Sequence, residues 1–313
     1  MHPGKSSEIV KYSSPDGKEI LFPVAKVTGA QAGPNVVITA GIHGCEYPGI
    51  VAAIRFFQEL APEEICGQVT LITVSSLLSF EQRTVFVCPD DGKNPNRCFP
   101  GSLSGTYTDA MVYYLFHDFI AKADYYLDLH GGDMVEALEP FSIYHEGDNK
   151  EISKLSREIV EYYGLPNIVS TVPGGVWDDS GTTYANAAKA GVPAAILEAG
   201  GIGLLDQLSV DLHLAGLRNV LRHLKTLKGE AVKPQNIVAY SDFIWLRSPA
   251  GGIFNKIVEV GDSLKQNQKI GQVEDYFGNK LADVISPNNG KVLFMTTSPA
   301  IPEQGLILGL GVL

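Results

Sequence analysis

Residues Val36 to Ile54 read VVITAGIHGCEYPGIVAAI. A β-branched and aliphatic run, Val36 to Ala40, stops at a histidine, a glycine, a cysteine and a glutamate, and a second apolar run begins after Pro48. Such runs favour a buried strand. Pro48 suits the first turn of a helix, where its missing N–H costs nothing. The stretch reads as strand, glycine turn and helix, and it delivers His43 and Glu46 just beyond the carboxyl end of the strand. In open α/β sheets that edge is where ligands bind.

The pattern recurs. Val69 to Val74 is followed by SSLLSFEQRT, Tyr125 to Leu129 by HGGD, and Ala194 to Leu197 by EAGG. Between these strands the sequence predicts helices near Pro48 to Leu60, Thr108 to Ala121, Lys150 to Tyr163, Gly181 to Ala190 and Leu204 to Leu227. Gly164 and Pro166 stop the third of them. Strands alternating with helices predict an α/β fold over residues 1–232, a mixed sheet flanked on both faces by helices. From Lys233 the texture changes to short β-prone pieces broken by Gly, Pro and Asn. Turns are expected at Gly261-Asp262, at Phe277-Gly278-Asn279 and over Pro287 to Gly290. Residues 233–313 therefore read as a small all-β domain. VEVGDSLKQNQKIGQV and ISPNNGKV in it resemble the barrel-sandwich of lipoyl and biotinyl carrier domains. Lys280 lies near the place of a carrier lysine, but the acidic and small residues that frame one are missing. The module is expected to shape a pocket rim or an oligomer contact, and a homo-oligomer is compatible with it.

Composition narrows the function. The chain has 313 residues, an apolar fraction of 45% and a formal net charge of -11. It is long enough for one large domain or two smaller ones with a real core. Nucleic acid and anionic membranes are poor partners for such a charge, because neutralising phosphate needs clustered Lys and Arg. An anionic ligand would need a local cation. No apolar run approaches the roughly 20 residues of a membrane span, and the polar start lacks the apolar centre of a secretion signal. A cytoplasmic address is expected. Cys45, Cys66, Cys88 and Cys98 show no CxxC spacing and read as reduced, packed thiols. Cys45 has no neighbouring base in sequence, so it is not read as a nucleophile.

The residues at the strand ends carry chemistry. His43, Glu46 and His130 supply two imidazoles and a carboxylate, a recurrent catalytic set for one Zn²⁺ that leaves a fourth position open. Glu198 leaves the apolar run PAAIL, which should raise its pKa and suit it to general base work. His213 and His223 lie in a long amphipathic helix and read as solvent-face residues. His145 is a weaker candidate for the pocket rim.

HGCE, LDLHGG and ILEAGG, in this order and with these gaps, resemble the succinylglutamate desuccinylase and aspartoacylase family, a branch of the zinc carboxypeptidase clan. The resemblance implies that His43, Glu46 and His130 bind zinc and that Glu198 is the base. It implies that Arg83, in FEQRT, polarises the scissile carbonyl. NPNRCFPG resembles the family's Asn-Arg pair before Phe-Pro-Gly, so Asn96 and Arg97 should hold a substrate carboxylate, and a loop ion pair of Arg97 with Asp90 or Asp91 is the structural alternative. Tyr184 matches a pocket tyrosine of the clan. The loop VPGGVWDD, Val172 to Asp179, is either a lining of the acyl pocket or an ordinary connection, and the sequence does not place Trp177. Two departures stand out: Cys45 replaces the usual Asp or Asn, and Ser76-Leu77 stands where the family has Asn-Pro. The activity implied is zinc-dependent hydrolysis of an N-acyl amino acid or a similar small amide. The alternatives are a carboxypeptidase acting on short peptides and a non-catalytic carrier module.

Overall fold

A computed structural model of the chain describes residues 2–173 and 179–313. Strands β1 (Gly4–Ser13) and β2 (Glu19–Thr28) form a hairpin, and β3 (Gln31–Ala40) leads through the His43–Glu46 turn into α1 (Tyr47–Glu59). Next come β4 (Cys66–Ile72), α2 (Leu77–Gln82), α3 (Tyr107–Asp118), β5 (Tyr125–His130), β6 (Glu136–Leu138) and β7 (Phe141–His145). The chain continues through α4 (Lys150–Tyr163), β8 (Asn167–Thr171), α5 (Thr183–Lys189), β9 (Ala194–Glu198), α6 (Gln207–His223) and β10 (Val238–Tyr240).

Nine of these strands make one mixed sheet in the order β1-β2-β4-β3-β5-β9-β7-β8-β10. The four strands read from the sequence are β3, β4, β5 and β9, and they are mutually parallel neighbours. Alternation sends Val36 and Ile38 to one face of β3 and Val37 to the other. The first pair joins a core with Phe56 of α1, Ile159 of α4 and Leu217 of α6. Val37 joins a second core with Leu115 of α3 and Ala185 of α5. Helices thus cover both faces, as expected. The helix α4 matches its expected span because Asn149 caps its first N–H groups and Gly164 leaves it in the left-handed region at φ +87°. Helix α6 is shorter than expected because Asp206, not a residue near Leu204, accepts from the Ser209 N–H and starts it.

The remaining strands are β11 (Asp242–Arg247), β12 (Gly252–Lys256), β13 (Ser263–Leu264), β14 (Lys269–Glu274), β15 (Lys280–Ile285), β16 (Gly290–Thr296), β17 (Ala300–Ile301) and β18 (Leu306–Val312). They form two antiparallel sheets, β11-β18-β16-β13 and β15-β14-β12-β17, which enclose their own core of Phe254, Ile270, Val273 and Leu308. Gly261 and Gly278 take positive φ at two of the expected turns. This β lobe begins at Asp242, since β10 pairs with β8 in the large sheet. Strand β6 crosses the other way and pairs with β16, Glu136 opposite Thr296 and Leu138 opposite Phe294. Among the described residues no helix is long and apolar enough to cross a membrane.

Candidate active site

Because β3, β5 and β9 are adjacent and parallel, their carboxyl ends open at one edge, and the register sets His130 directly beside Glu198. His43 and Glu46 arrive on the turn after β3, closed by the Glu46 N–H on the His43 carbonyl at 3.2 Å. Gly44 is required by close approach: a Cβ there would lie 2.3 Å from the backbone nitrogen of Phe80 on α2. The positive φ of this turn falls at Gly41 instead, at +66°.

Glu46 stands between the two imidazoles. His43 Nδ1 is 2.6 Å from its Oε1 and His130 Nδ1 is 3.0 Å from its Oε2. The outer nitrogens face acceptors: His43 Nε2 donates to Asn94 Oδ1 at 3.1 Å, and His130 Nε2 to Asp128 Oδ2 at 2.9 Å. Those acceptors place the N–H on Nε2, so both Nδ1 atoms are presented to Glu46. Glu46 Oε2 is buried and accepts no hydrogen bond from the described residues. Three electron-pair donors within 4.8 Å of one another, one an orphaned buried oxygen, fit a divalent cation between them. The Asp128–His130 contact matches the carboxylate–histidine arrangement that orients metal ligands, and the Asn94 amide oxygen holds His43 in the corresponding way. Glu46 and the imidazoles also act on one another's charge. Burial opposes ionisation of Glu46, but His130 and His43 outweigh it and hold its carboxyl well below the usual range. Burial also opposes charge on His130, and Asp128 and Glu46 still carry its pKa well above the ordinary imidazole value.

Glu198 faces the same point with the opposite shift. Burial, opposed by His130 and reinforced by Glu46 and Glu136, pushes its pKa well above the ordinary carboxyl value. Glu136 on β6 is likewise pushed up to about 7, by burial and by the charge of Asp133.

These groups open into a cavity of about 900 Å³ between the large sheet and the β lobe. His43, Glu46, His130, Glu198, Asn96 and Arg97 line one side, while Trp245, Arg247, Phe294 and Thr296 of the β lobe line the other. The β lobe therefore shapes the pocket, as one of its two expected roles required. Asn94, Asn96 and Arg97 lie on a turn before α3 that the Asn94 side chain caps by accepting the Asn96 N–H at 2.8 Å. Asn96 is buried, and its Oδ1 accepts the Thr183 N–H at 2.8 Å. That leaves its amide N–H₂ as the group offered to a ligand. Neither aspartate considered for Arg97 pairs with it: Asp90 bonds Lys18, and Asp91 accepts from Thr106 and Thr108.

Other expectations are corrected or displaced. Tyr184 is fully buried with its hydroxyl 3.2 Å from that of Thr171, and it is not among the residues that line the cavity. Arg83 is exposed at the C-cap of α2 with a left-handed φ of +53° and does not line the cavity; Phe86, three residues on, does. His213 does not face solvent. It is fully buried on α6, where its Nε2 meets the His130 carbonyl at 3.2 Å and its Nδ1 the Tyr163 hydroxyl at 2.7 Å, because the helix packs beneath the end of β5. His223 is half-buried and stacks on Tyr162 at 3.7 Å. His145 is not at the rim but buried, its Nδ1 2.7 Å from Asp179 Oδ2. Lys280 is an exposed residue paired with Asp283 at 3.1 Å. Within VPGGVWDD, residues 174–178, Trp177 among them, lie outside the described residues.

Cys45 acquires a role. Its buried thiol donates to Asp133 Oδ1 at 3.0 Å, and burial with the charges of Glu46 and Asp133 raises its pKa, so it stays protonated and is no nucleophile. Asn94, Asp128, Asp133 and Thr183 were not singled out from sequence. Asp128 carried a signal, since two residues before His130 on a strand it shares that side chain's face; Thr183 carried none.

The succinylglutamate desuccinylase/aspartoacylase catalytic domain matches residues 32–224. The chain is 27% identical over 271 residues to the N-alpha-acetyl-L-2,4-diaminobutyric acid deacetylase of Halomonas elongata, covering 85% of this chain and 77% of that one. Among solved structures, the product-bound ectoine utilization protein of Ruegeria pomeroyi superposes with a TM-score of 0.89 at 23% identity, covering 100% of this chain and 97% of that one. A succinylglutamate desuccinylase/aspartoacylase from Rhodobacter sphaeroides gives 0.87 at 21% identity, covering 99% and 95%. With the family match spanning more than half of the chain and the same fold in the solved structures, this protein belongs to the succinylglutamate desuccinylase/aspartoacylase family.

Proposed function

We propose that this protein is a zinc-dependent amidohydrolase that removes the acyl group from an N-acyl amino acid or a similar small amide bearing a carboxylate. The observation that carries the reading is the orphaned Glu46 oxygen facing His130, with Glu198 on the adjoining strand. The deacetylase of Halomonas elongata, by its name, acts on such a substrate.

One Zn²⁺ per chain, held by His43, Glu46 and His130, would polarise the acyl carbonyl and lower the pKa of water. Glu198 takes the proton of the attacking water and returns it to the departing amine; its raised pKa brings it nearer the working pH. Arg97 offers a fork of donors to the substrate carboxylate beside the Asn96 amide. Arg97 is also the local cation that an acidic chain needs to hold an anion. The carbonyl-polarising role that the family resemblance gives Arg83 would require its exposed end of α2 to turn toward the cavity, which it does not line here. Asn94 and Asp128 hold the two imidazoles with their Nδ1 atoms inward.

Elemental analysis of the purified protein, joined to a screen of N-acyl amino acids for amine release, tests the reading. Glu198→Gln is expected to keep the metal and to lose about 10²–10⁴-fold in kcat. Near-normal turnover by that variant would remove Glu198 from the base role.

A further inference from the structure

The turn that carries Asn96 and Arg97 comes from a different part of the chain than His130, yet an unbroken series of bonds joins them. We propose that Thr183, at the start of α5, is a positioning residue that fixes the carboxylate-binding Asn96 relative to the metal-binding His130. Thr183 is fully buried. Its backbone N–H donates to Asn96 Oδ1 at 2.8 Å and its hydroxyl to Asp128 Oδ2 at 2.6 Å. The same Asp128 oxygen accepts from His130 Nε2 at 2.9 Å.

Each link has a physical consequence. The N–H bond sets which end of the Asn96 amide faces the cavity, because an oxygen occupied by Thr183 turns the N–H₂ outward. The hydroxyl bond holds a fully buried carboxylate whose other oxygen accepts from Thr39 at 2.6 Å. Losing one donor to such a group leaves it undersatisfied and free to shift, and the imidazole that it orients shifts with it. The segment before Thr183 is clamped to the same turn: the Phe99 N–H donates to the Gly181 carbonyl at 3.0 Å, and a Cβ on Gly181 would lie 2.3 Å from the Arg97 carbonyl oxygen. The start of α5 therefore cannot move without moving the Asn96–Arg97 turn.

The test separates positioning from packing. Thr183→Val keeps the shape and the backbone N–H but removes the hydroxyl; Thr183→Ser restores it. In a chelator competition with Zn²⁺ alone, Thr183→Val is expected to weaken zinc binding by about tenfold, the usual size of such outer contacts, while Thr183→Ser stays near the parent protein. With an N-acetyl amino acid that the parent hydrolyses, Thr183→Val should also raise KM, because losing the hydroxyl bond to Asp128 frees the start of α5 to shift and the Asn96–Arg97 turn clamped to it shifts with it. Should the valine variant fail to fold, Thr183→Ala, which adds no apolar volume beside Asp128, carries the same titration. Unchanged zinc affinity in a folded hydroxyl-less variant, with only a lower melting temperature, would overturn the proposal. The inference rests on the deacylase reading for its KM arm alone: the zinc titration needs no substrate, so it stands even if no N-acyl amino acid is turned over.

Discussion

Glu46 and Arg97 show how differently two functional residues are held. Glu46 is buried between two imidazoles, whereas Arg97 is exposed on the cavity wall, where its Nη1 donates to the carbonyl of Asn96 at 2.6 Å. The proposed metal ligand and the proposed carboxylate fork have different tasks, and kinetics should separate them. Arg97→Ala is expected to raise KM by about 10- to 100-fold, the worth of a charge-assisted hydrogen bond of about 1.5–3 kcal/mol, with a smaller change in kcat. Arg83→Ala should instead lower kcat by about 10²-fold, the worth of one donor to the reacting carbonyl oxygen, and an unchanged kcat would remove that role. Steady-state kinetics on one N-acyl amino acid reads both. At this scale the residues at strand ends were legible, because a histidine or glutamate beside glycine after an apolar run has few structural reasons to be there. Their supports were not. Asn94 and Thr183 are ordinary polar residues in sequence, and only the folded chain sets one against His43 and the other against Asp128.

The turn after β3 and the helix α6 beneath it illustrate the element scale. Gly44→Ala would drive a Cβ into the backbone of α2, displacing the turn that carries both His43 and Glu46. The expected outcome is a lower melting temperature together with weakened metal binding, while Gly4→Ala, which meets nothing within 4 Å, leaves both unchanged. Helix α6 was read with His213 outward, because a single histidine does not reveal which face of a helix is buried. Its burial makes a pH prediction. Burial lowers the His213 pKa from 6.5 to about 4, so the folded state binds its proton less well than the unfolded chain does. The stability held by the neutral ring is complete above pH 6.5 and is lost as pH falls toward 4, by up to ~3 kcal/mol at 1.36 kcal/mol per pKa unit. Urea midpoints measured across that window should fall in the parent and fall less in His213→Gln. Element positions were otherwise well marked by Pro48 and by Gly164 with Pro166, whereas the polar alternation of β1 along its exposed edge left that hairpin unread.

For the molecule as a whole, the α/β class and the later all-β lobe were both legible, one from strand–helix alternation and the other from its punctuation by glycine and asparagine turns. What the sequence did not disclose is how the lobes join. Strand β6 is three residues long, too short for any periodic signal, yet it pairs with β16 and places Glu136 on the cavity wall. Phe141 of the large sheet packs on Phe243 of the β lobe at 5.9 Å between ring centres, and one apolar core runs from Val37 through Ile143 to Phe294. A seam that shares both a ladder and a core gives neither lobe a separate unfolding free energy. Calorimetry should show a single heat-absorption peak, and fluorescence, which includes Trp245 of the β lobe, should lose its native signal at the same temperature as the far-ultraviolet helix signal of the large domain. Two resolved transitions would mean that the lobes melt independently. A chain that a sequence reader divides into two modules would then be, to heat and denaturant, a single object, and a lesion in the β lobe would silence the metal site by unfolding it rather than by blocking its mouth.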